Sequence, residues 1–238
     1  MPLPAASLAL PESPLAAARQ LLVVLAPSWA STGGSLQRFA RNSAIDEWRA
    51  IGAAIPVSLG RAGLGWGIGR HRGSEMRGPR KREGDGRAPA GLFAISELFG
   101  TADRESPFAR SARLPYRCTS RDLKAIDAPL SKYYNRLVEH SALPDRDWTS
   151  HEEMRRDDER YVLGAVIAHN SEPPVAGAGS CIFLHVWPSP GAPTAGCTAA
   201  ARADVETICG WLDSAAGPLL VQLPEAEYRR RKAAWALP

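Results

Sequence analysis

The sequence predicts a mainly β fold with peripheral helices, in which short strands form a sandwich or a barrel. First, several short segments alternate apolar and polar residues with the period of two that is typical of strands. Second, 20 proline and 21 glycine residues among 238 indicate many turns, which argues against a helix bundle. Third, only one stretch, residues 205–212, has a clear helical period. The length fits one domain of generous size or two small ones.

The composition divides the chain into three parts. Residues 1–18 form a Pro- and Ala-rich arm, residues 19–223 a folded domain, and residues 224–238 a basic C-terminal helix. The first strands of the domain are predicted at 20–25, 36–41, 48–51 and 55–59, with a turn at 31–34.

A glycine-rich segment and a basic segment follow these strands. Residues 60–69 contain five glycines but no phosphate-binding motif, so we expect a loop that passes close beneath a sheet. Residues 70–82 carry six basic side chains against Glu75, and their glycine and proline content predicts a solvated loop. Binding of an acidic polymer is the alternative. A nucleic-acid interface is disfavoured, because no aromatic residues interleave the charges.

The second half of the domain alternates between regular and irregular segments. Residues 100–160 are polar and irregular, and we interpret them as an insertion that covers a cleft. Their acidic residues lack the spacing of a calcium loop. The remaining elements are predicted as strands at 90–99, 161–170 and 218–223 and a basic helix at 225–236.

The candidate reactive side chains lie in the stretch 177–199. Residues 181–187 alternate as a strand, with His185 on one face and a core-like face opposite (Ile182, Leu184 and Val186). Prolines and glycines then stop the strand. A tight turn, Thr194 to Gly196, delivers the chain to Cys197, which we expect at the mouth of the helix that contains residues 205–212.

Cys197 and His185 are candidates for a nucleophile and its base. A free cysteine is mostly thiol at neutral pH, and a nearby imidazole or the positive field at a helix start shifts it toward thiolate. Backbone N–H groups at such a turn are free to face a developing negative charge. In the alternative, the cysteine is a small buried hydrophobe and the histidine a satisfied core residue. Spacing alone favours that structural interpretation.

Charge and cysteine content narrow the function only slightly. A net charge of +4 and a pI near 9.0 suit an anionic wall polymer, a membrane surface or nucleic acid. The four cysteines form no C-x-x-C pair, so no zinc site is predicted. No apolar run is long enough to span a membrane. The proline-interrupted first twenty residues do not read as a signal peptide, which leaves open a removed leader or an upstream start.

Two motifs, in order, resemble the L,D-transpeptidase catalytic domain of the YkuD-type family. Phe183-Leu184-His185, a loop and Thr194-Ala195-Gly196-Cys197 resemble the family's strand-ending histidine and its Ser/Thr-His-Gly-Cys motif. Upstream, the segment 88–93 (Ala-Pro-Ala-Gly-Leu-Phe) resembles the Thr-Pro-x-Gly-x-Phe turn. The layout from Leu21 to Leu223 resembles a bacterial branch that carries Thr-Ala-Gly-Cys, with further marks at 60–64, 114–117, 134–136 and 169–170.

The resemblance implies a β-sandwich with an insertion that caps the active site and with Cys197 at one end of the cleft. It implies that Cys197 is the nucleophile and His185 the base, oriented by the backbone carbonyl of Val186. The backbone amides of Ala195, Gly196 and Cys197 are implied to hold the oxyanion. Four more residues are candidates for substrate contact or support: His169, Asn170, Thr194 and Tyr134. His169 could orient His185, contact substrate or hold a turn with Asn170.

The implied activity is peptidoglycan L,D-transpeptidation in the periplasm or cell envelope, with a role in cell shape. A stem peptide would acylate Cys197 at diaminopimelate, and an amine of a second stem would resolve the thioester into a 3→3 or a 1→3 cross-link. Carbapenem-type β-lactams are the implied inhibitors, and no metal or organic cofactor is needed. Nucleic acid and an integral membrane segment are not expected.

Departures from the family pattern concern the donor site. Ala195 stands where the family has histidine, Ala199 where it commonly has arginine, and the loop before Cys197 is short. These changes leave the nucleophile and base in place. Two alternatives remain open: a stem-peptide L,D-carboxypeptidase or endopeptidase with the same pair, and a non-catalytic wall-binding module.

Overall fold

The computed structural model describes residues 13–71 and 76–238. Residues 1–12 of the predicted arm and residues 72–75 of the basic segment, with Arg72 and Glu75, lie outside the described residues. Leu15 and Ala18 are buried in the domain. Residues 13–18 therefore pack onto the domain and are not an extended arm.

The chain forms thirteen strands and three helices within the described residues, which confirms the predicted mainly β fold with peripheral helices. The strands are β1 (Gln20–Ala26), β2 (Gly33–Ala40), β3 (Arg49–Ser58), β4 (Leu64–Trp66), β5 (Ala88–Gly100), β6 (Tyr116–Cys118), β7 (Leu123–Ala125), β8 (Leu137–Glu139), β9 (Glu152–Glu153), β10 (Leu163–Ile167), β11 (Phe183–Val186), β12 (Thr198–Ala200) and β13 (Leu219–Pro224). The helices are α1 (Pro107–Ser111), α2 (Arg202–Trp211) and α3 (Glu225–Trp235).

Eight of the strands pair in a closed ring around the main apolar core. The order is β10-β11-β12-β3-β2-β1-β13-β5, and β5 pairs with β10 to close it. Fully buried leucine and phenylalanine side chains such as Leu22, Leu36 and Phe93 fill the interior. Each contributes about 1.5–3 kcal/mol relative to an exposed position. Closure leaves β11 and β12 with partners on both sides.

Two predicted strands are a single strand in the structure. β3 runs through Gly52, whose φ of 69° lies in the left-handed region, and its register with β2 shifts at this point. Such an irregularity is tolerated because glycine has no Cβ. The interruption between the predicted segments 48–51 and 55–59 is therefore a bulge, and the predicted turn at 31–34 already enters β2 at Gly33.

The insertion at 100–160 contains a second, smaller sheet. Strand β6 joins the end of β5, whereas β8, β7 and β9 form a separate three-stranded sheet. We call this small sheet the cap. Its buried residues Leu123, Ala125 and Met154 pack in one cluster with Phe183 and Cys197. The cap therefore covers the face of β11 and β12 that turns away from the main core.

The C-terminal helix α3 is basic, as predicted, but it is fastened to the domain. Its Glu227 is buried and accepts hydrogen bonds from Arg230 at 3.1 Å and from Arg231. The Arg231 guanidinium also lies over the Trp66 ring, 4.6 Å from its centroid. Trp235 is buried at the end of the helix.

Candidate active site

Strands β11 and β12 bring Cys197 and His185 to the same face of the sheet. They are parallel, with Leu184 opposite Thr198 and His185 opposite Ala199. One residue earlier in this register, Cys197 lies opposite Phe183. Because side chains alternate along a strand, Cys197 and His185 point to the same side, two residues apart on adjacent strands. The opposite face lies in the main core, as the sequence predicted (Ile182, Leu184 and Val186).

The turn before Cys197 is held by Thr194. Its hydroxyl donates to the carbonyl of Cys197 at 2.6 Å and accepts from the N–H of Gly196 at 3.1 Å. Its own N–H donates to the carbonyl of Leu59 at 2.9 Å, which ties the turn to the end of β3. A side chain at Gly196 would meet the carbonyl oxygen of Arg87 at 3.0 Å. Thr194 thus positions the nucleophile candidate, and glycine is required beside it.

The expectation that Cys197 lies at the mouth of a helix is wrong. Strand β12 follows Cys197 directly, and α2 starts only at Arg202, with Ala201 as its N-cap. The free N–H groups of the first helical turn are therefore too far along the chain to act on the sulfur. The prediction overlooked β12 because three small residues, Thr198 to Ala200, carry no detectable period.

The sulfur of Cys197 is buried and held by the backbone of β11. Sγ accepts from the N–H of Phe183 at 3.4 Å and donates to the carbonyl of Cys181 at 3.6 Å. Cys181 itself has a left-handed φ of 54°, which is uncommon for a non-glycine residue. The Cys197 residue is only 7% exposed. Burial raises the pKa of the Cys197 thiol to about 12, with a further contribution from the Glu152 carboxylate.

His185 is buried beside the sulfur-bearing strand with one ring nitrogen already engaged. Its Nδ1 lies 2.8 Å from the backbone carbonyl of Val186. A carbonyl only accepts, so Nδ1 carries the proton and Nε2 is the acceptor. Burial lowers the pKa of His185 to about 4, against the opposing effect of the Val186 carbonyl. The ring of Tyr161 stands edge-on to the imidazole, with centroids 5.3 Å apart.

The pair is therefore neutral in this structure. Burial disfavours the charged form of each group, since it raises the pKa of Cys197 and lowers that of His185, so the structure favours a thiol and a neutral imidazole over the expected thiolate. The sulfur's hydrogen bonds go to Phe183 and Cys181 and not to His185. Of the expected oxyanion amides at Ala195, Gly196 and Cys197, that of Gly196 donates to Thr194.

The candidates His169, Asn170 and Tyr134 form a separate network. The imidazole of His169 accepts from the N–H of Ile68 at 3.1 Å and donates to the carbonyl of Ala178 at 3.1 Å. Asn170, with φ of 52°, exchanges three side-chain hydrogen bonds with Val175 and Gly179. These contacts fold the loop between β10 and β11.

His169 does not orient His185. Strands β10 and β11 are antiparallel, with Gly164 opposite His185, so His169 lies beyond the other end of β11. Its contacts are those of the turn with Asn170, and it also lines the cavity described below, so contact with substrate stays a prediction. Tyr134 joins the same end: its hydroxyl donates to Glu83 and accepts from the N–H of Gly179 at 3.2 Å.

Sequence reasoning noted Asn135 only as part of the mark at 134–136 and gave no role to Asn135 or Tyr161. Asn135 accepts from the N–H of Cys181 at 2.9 Å and donates to the carbonyls of His169 and Asn170, which joins the insertion to the start of β11 and to the loop after β10. Tyr161 donates to Glu152 on the cap at 2.6 Å. Only the apolar start of the segment 161–170 could have drawn attention to Tyr161.

A cavity of about 290 Å³ borders the segment that holds the sulfur. Cys181 and Phe183 form one wall, and Asn135 and Arg136 of the insertion form another.

Among residues 13–71 and 76–238, no three His, Cys, Asp or Glu residues are grouped as metal ligands. Within the same ranges, none of the helices has the length and apolar character needed to cross a membrane.

Comparison with known proteins identifies the domain. A family model described as the YkuD L,D-transpeptidase catalytic domain matches residues 39–221, a span that contains both Cys197 and His185. A search of curated proteins and a search of solved structures found no match.

Proposed function

Because the chain belongs to the L,D-transpeptidase catalytic-domain family, we propose that it is a peptidoglycan L,D-transpeptidase with Cys197 as nucleophile and His185 as base. The family acts on peptidoglycan of the cell wall, outside the cytoplasm. The observation that carries the proposal is the geometry of the β11–β12 pair. It sets both side chains on one face and leaves Nε2 of His185 as the acceptor.

The reaction begins from a neutral thiol and a neutral imidazole. His185 takes the proton of Cys197 as sulfur attacks the carbonyl of a diaminopimelyl residue in the donor stem. The C–N bond to the following residue breaks, and the proton passes from His185 to the departing amine. The thioester is then attacked by an amine of a second stem, which forms a 3→3 or a 1→3 cross-link and returns the thiol.

Substrate access requires the cap to separate from Cys197. Cys197 belongs to the same buried cluster as Leu123, Ala125 and Met154, and a stem peptide needs space beside the sulfur. Separation would also hydrate the thiol and move its pKa down toward the ordinary value near 8.5. The amides of the Ala195–Cys197 turn then hold the oxyanion, for which the Gly196 N–H has to leave Thr194.

The first test is cross-linking of purified tetrapeptide stems, followed by mass spectrometry of the products. We expect Cys197→Ala to abolish dimer formation and the covalent adduct with a carbapenem. The matched control is Cys118→Ala, which removes a half-buried thiol of the insertion and is expected to keep both. Dimers formed by the Cys197 variant would refute the assignment of the nucleophile.

One observation favours a second candidate, a non-catalytic wall-binding module. The thiol is buried and its pKa is raised to about 12, as in a structural cysteine. A wild-type protein that binds sacculi but forms no carbapenem adduct would support this candidate. The same product analysis separates cross-linking from hydrolysis, the alternative in which water resolves the thioester.

A further inference from the structure

Glu152 is a half-buried titratable group that the steps above do not use. It lies on strand β9 of the cap, and its Oε2 accepts the hydroxyl proton of Tyr161 at 2.6 Å. The hydrogen bond to Tyr161 is the one that the Glu152 side chain makes among the described residues, and Oε1 takes no part in it. The carboxylate therefore has one oxygen fixed and one available.

Tyr161 connects this carboxylate to the reacting groups. Its ring is edge-on to the imidazole of His185, with centroids 5.3 Å apart, and packs in one cluster with Phe183 and Cys197. The negative charge of Glu152 also acts on the Cys197 thiol, whose pKa it raises. Glu152 thus lies on the side of the cap, and the side chain of Tyr161 joins it to the imidazole of His185.

A carboxylate at this place is unfavourable for making a thiolate, because two negative charges repel each other. It is favourable for a cation. The acceptor of a transpeptidation arrives as an ammonium group with a pKa of about 10, and it must lose a proton before its nitrogen can attack. The imidazole of His185 exchanges a proton with the sulfur, so it does not remove this first proton from the ammonium.

Resting on the proposed function, we propose that Glu152 receives the acceptor amine and acts as its general base. The ammonium gives one proton to Oε1, and the free amine attacks the thioester carbonyl. The C–N bond forms and the C–S bond breaks. The second proton of the nitrogen passes through His185 to the departing sulfur, and Glu152 later releases its proton to solvent.

The surroundings of Glu152 fit this role. Burial raises the pKa of the Glu152 carboxyl, which brings it closer to the pH at which a base works. The charged groups that act on it are Asp127, Glu83 and Arg156, besides the hydroxyl of Tyr161. Two of these three charges are negative, which favours an ammonium at Glu152. Around the reacting pair, Lys81 acts on Cys197, and Arg156, Arg160 and Asp158 act on His185.

The test separates acylation from transfer in the full-length protein. Acyl-enzyme formed from a tetrapeptide stem is followed by intact-protein mass spectrometry, and its transfer to a second stem and to water is measured at pH 6–10. We expect Glu152→Gln to acylate within about threefold of wild type or faster. Its transfer to amine at pH 7 should fall by about 10²-fold, with hydrolysis unchanged. Near pH 10, where solvent deprotonates the amine, the variant should approach wild type.

The matched control is Glu153→Gln, the next residue of the same strand, which is exposed and bonds Lys124 at 2.6 Å. It removes the same charge and is expected to leave transfer unchanged. Equal transfer by Glu152→Gln and wild type at pH 7 would overturn the proposal, and so would a parallel loss of acylation and transfer.

Wild-type protein alone supplies an independent measurement if the variant does not fold. A base on the enzyme predicts that transfer stays nearly constant from pH 7 to the pKa of the amine. A tenfold rise per pH unit over that range would overturn the role of Glu152. Absence of any acyl-enzyme in wild type would instead refute the proposed function, so the two failures are distinguishable.

Discussion

A buried histidine lies near each end of strand β11, and the two histidines differ in hydrogen bonding. Burial lowers the pKa of both His169 and His185 to about 4, so neither exposure nor acidity distinguishes them. His169 uses both ring nitrogens, toward Ile68 and Ala178. His185 uses only Nδ1, toward Val186, and keeps Nε2 as an acceptor on the face it shares with Cys197.

The number of bonded ring nitrogens distinguishes the two histidines. A structural histidine has both nitrogens bonded, whereas a candidate base keeps one nitrogen able to accept a proton. A buried polar group without a partner costs stability. Both ring nitrogens of His169 avoid that cost through backbone partners, whereas Nε2 of His185 has no hydrogen-bond partner among the described residues. Reactive groups of the site are thus concentrated at one end of the strand, and the other end secures the loop that leads into it.

The largest expected effect is on the reaction at the Cys197 end. His185→Gln should lower the rate of carbapenem acylation by about 10²–10⁴-fold, because the sulfur loses its proton acceptor. Circular dichroism should show a folded protein. The measurement is the time course of the covalent adduct by intact-protein mass spectrometry, and a rate near that of wild type would exclude His185 as the base.

Substitution of the other histidine, His169, is expected to lower the free energy of unfolding. His169→Ala leaves the N–H of Ile68 and the carbonyl of Ala178 without their buried partner and opens a cavity beside Phe93. We expect a loss of about 2–5 kcal/mol in the free energy of unfolding, measured with urea. The acylation rate per folded molecule should change by less than about threefold. A selective loss of acylation without a loss of stability would give His169 a role in the site.

The smallest effect is the pH dependence, in which the two ends should behave alike. The unfolded pKa of histidine is about 6.5, and both folded values are lower, so the unfolded state binds more protons between pH 6.5 and 4. Stability should therefore fall as pH decreases through this window. Each histidine contributes up to about 1.4 kcal/mol per pH unit.

Replacing either histidine with glutamine should remove about one proton from the slope of unfolding free energy against pH. His71, whose pKa burial also lowers, keeps part of the slope in both variants. An unchanged slope in His185→Gln would mean that this imidazole is already charged or hydrated in the folded protein, which contradicts the neutral pair.

Much of the fold could be predicted from the sequence because the information is local. Alternating residues identified β1, β5 and β11, and the partition of β11 into a core face and a reactive face followed from its period of two. The short strand β12 was missed, because Thr198, Ala199 and Ala200 show no alternation of apolar and polar residues and have small side chains. That omission moved the expected helix start onto Cys197.

The site was predictable as a set of residues but not as an electrostatic environment. The motif identified Cys197, His185 and Thr194, and the structure places all three around one turn and one strand pair. The relation of His169 to His185 could not be read from the chain, because two histidines that each end a strand lie far apart when the strands are antiparallel.

The sequence by itself determined the strands, the turn before Cys197 and the pairing of a thiol with an imidazole, because each depends on residues close together in the chain. Only the tertiary structure decided that this pair is desolvated, that both nitrogens of His169 are bonded to the backbone, and that Glu152 is joined to His185 through Tyr161. The reason is that these contacts join segments far apart in sequence, and the strands of the cap that help to bury Cys197 are separated from it by 44 to 74 residues.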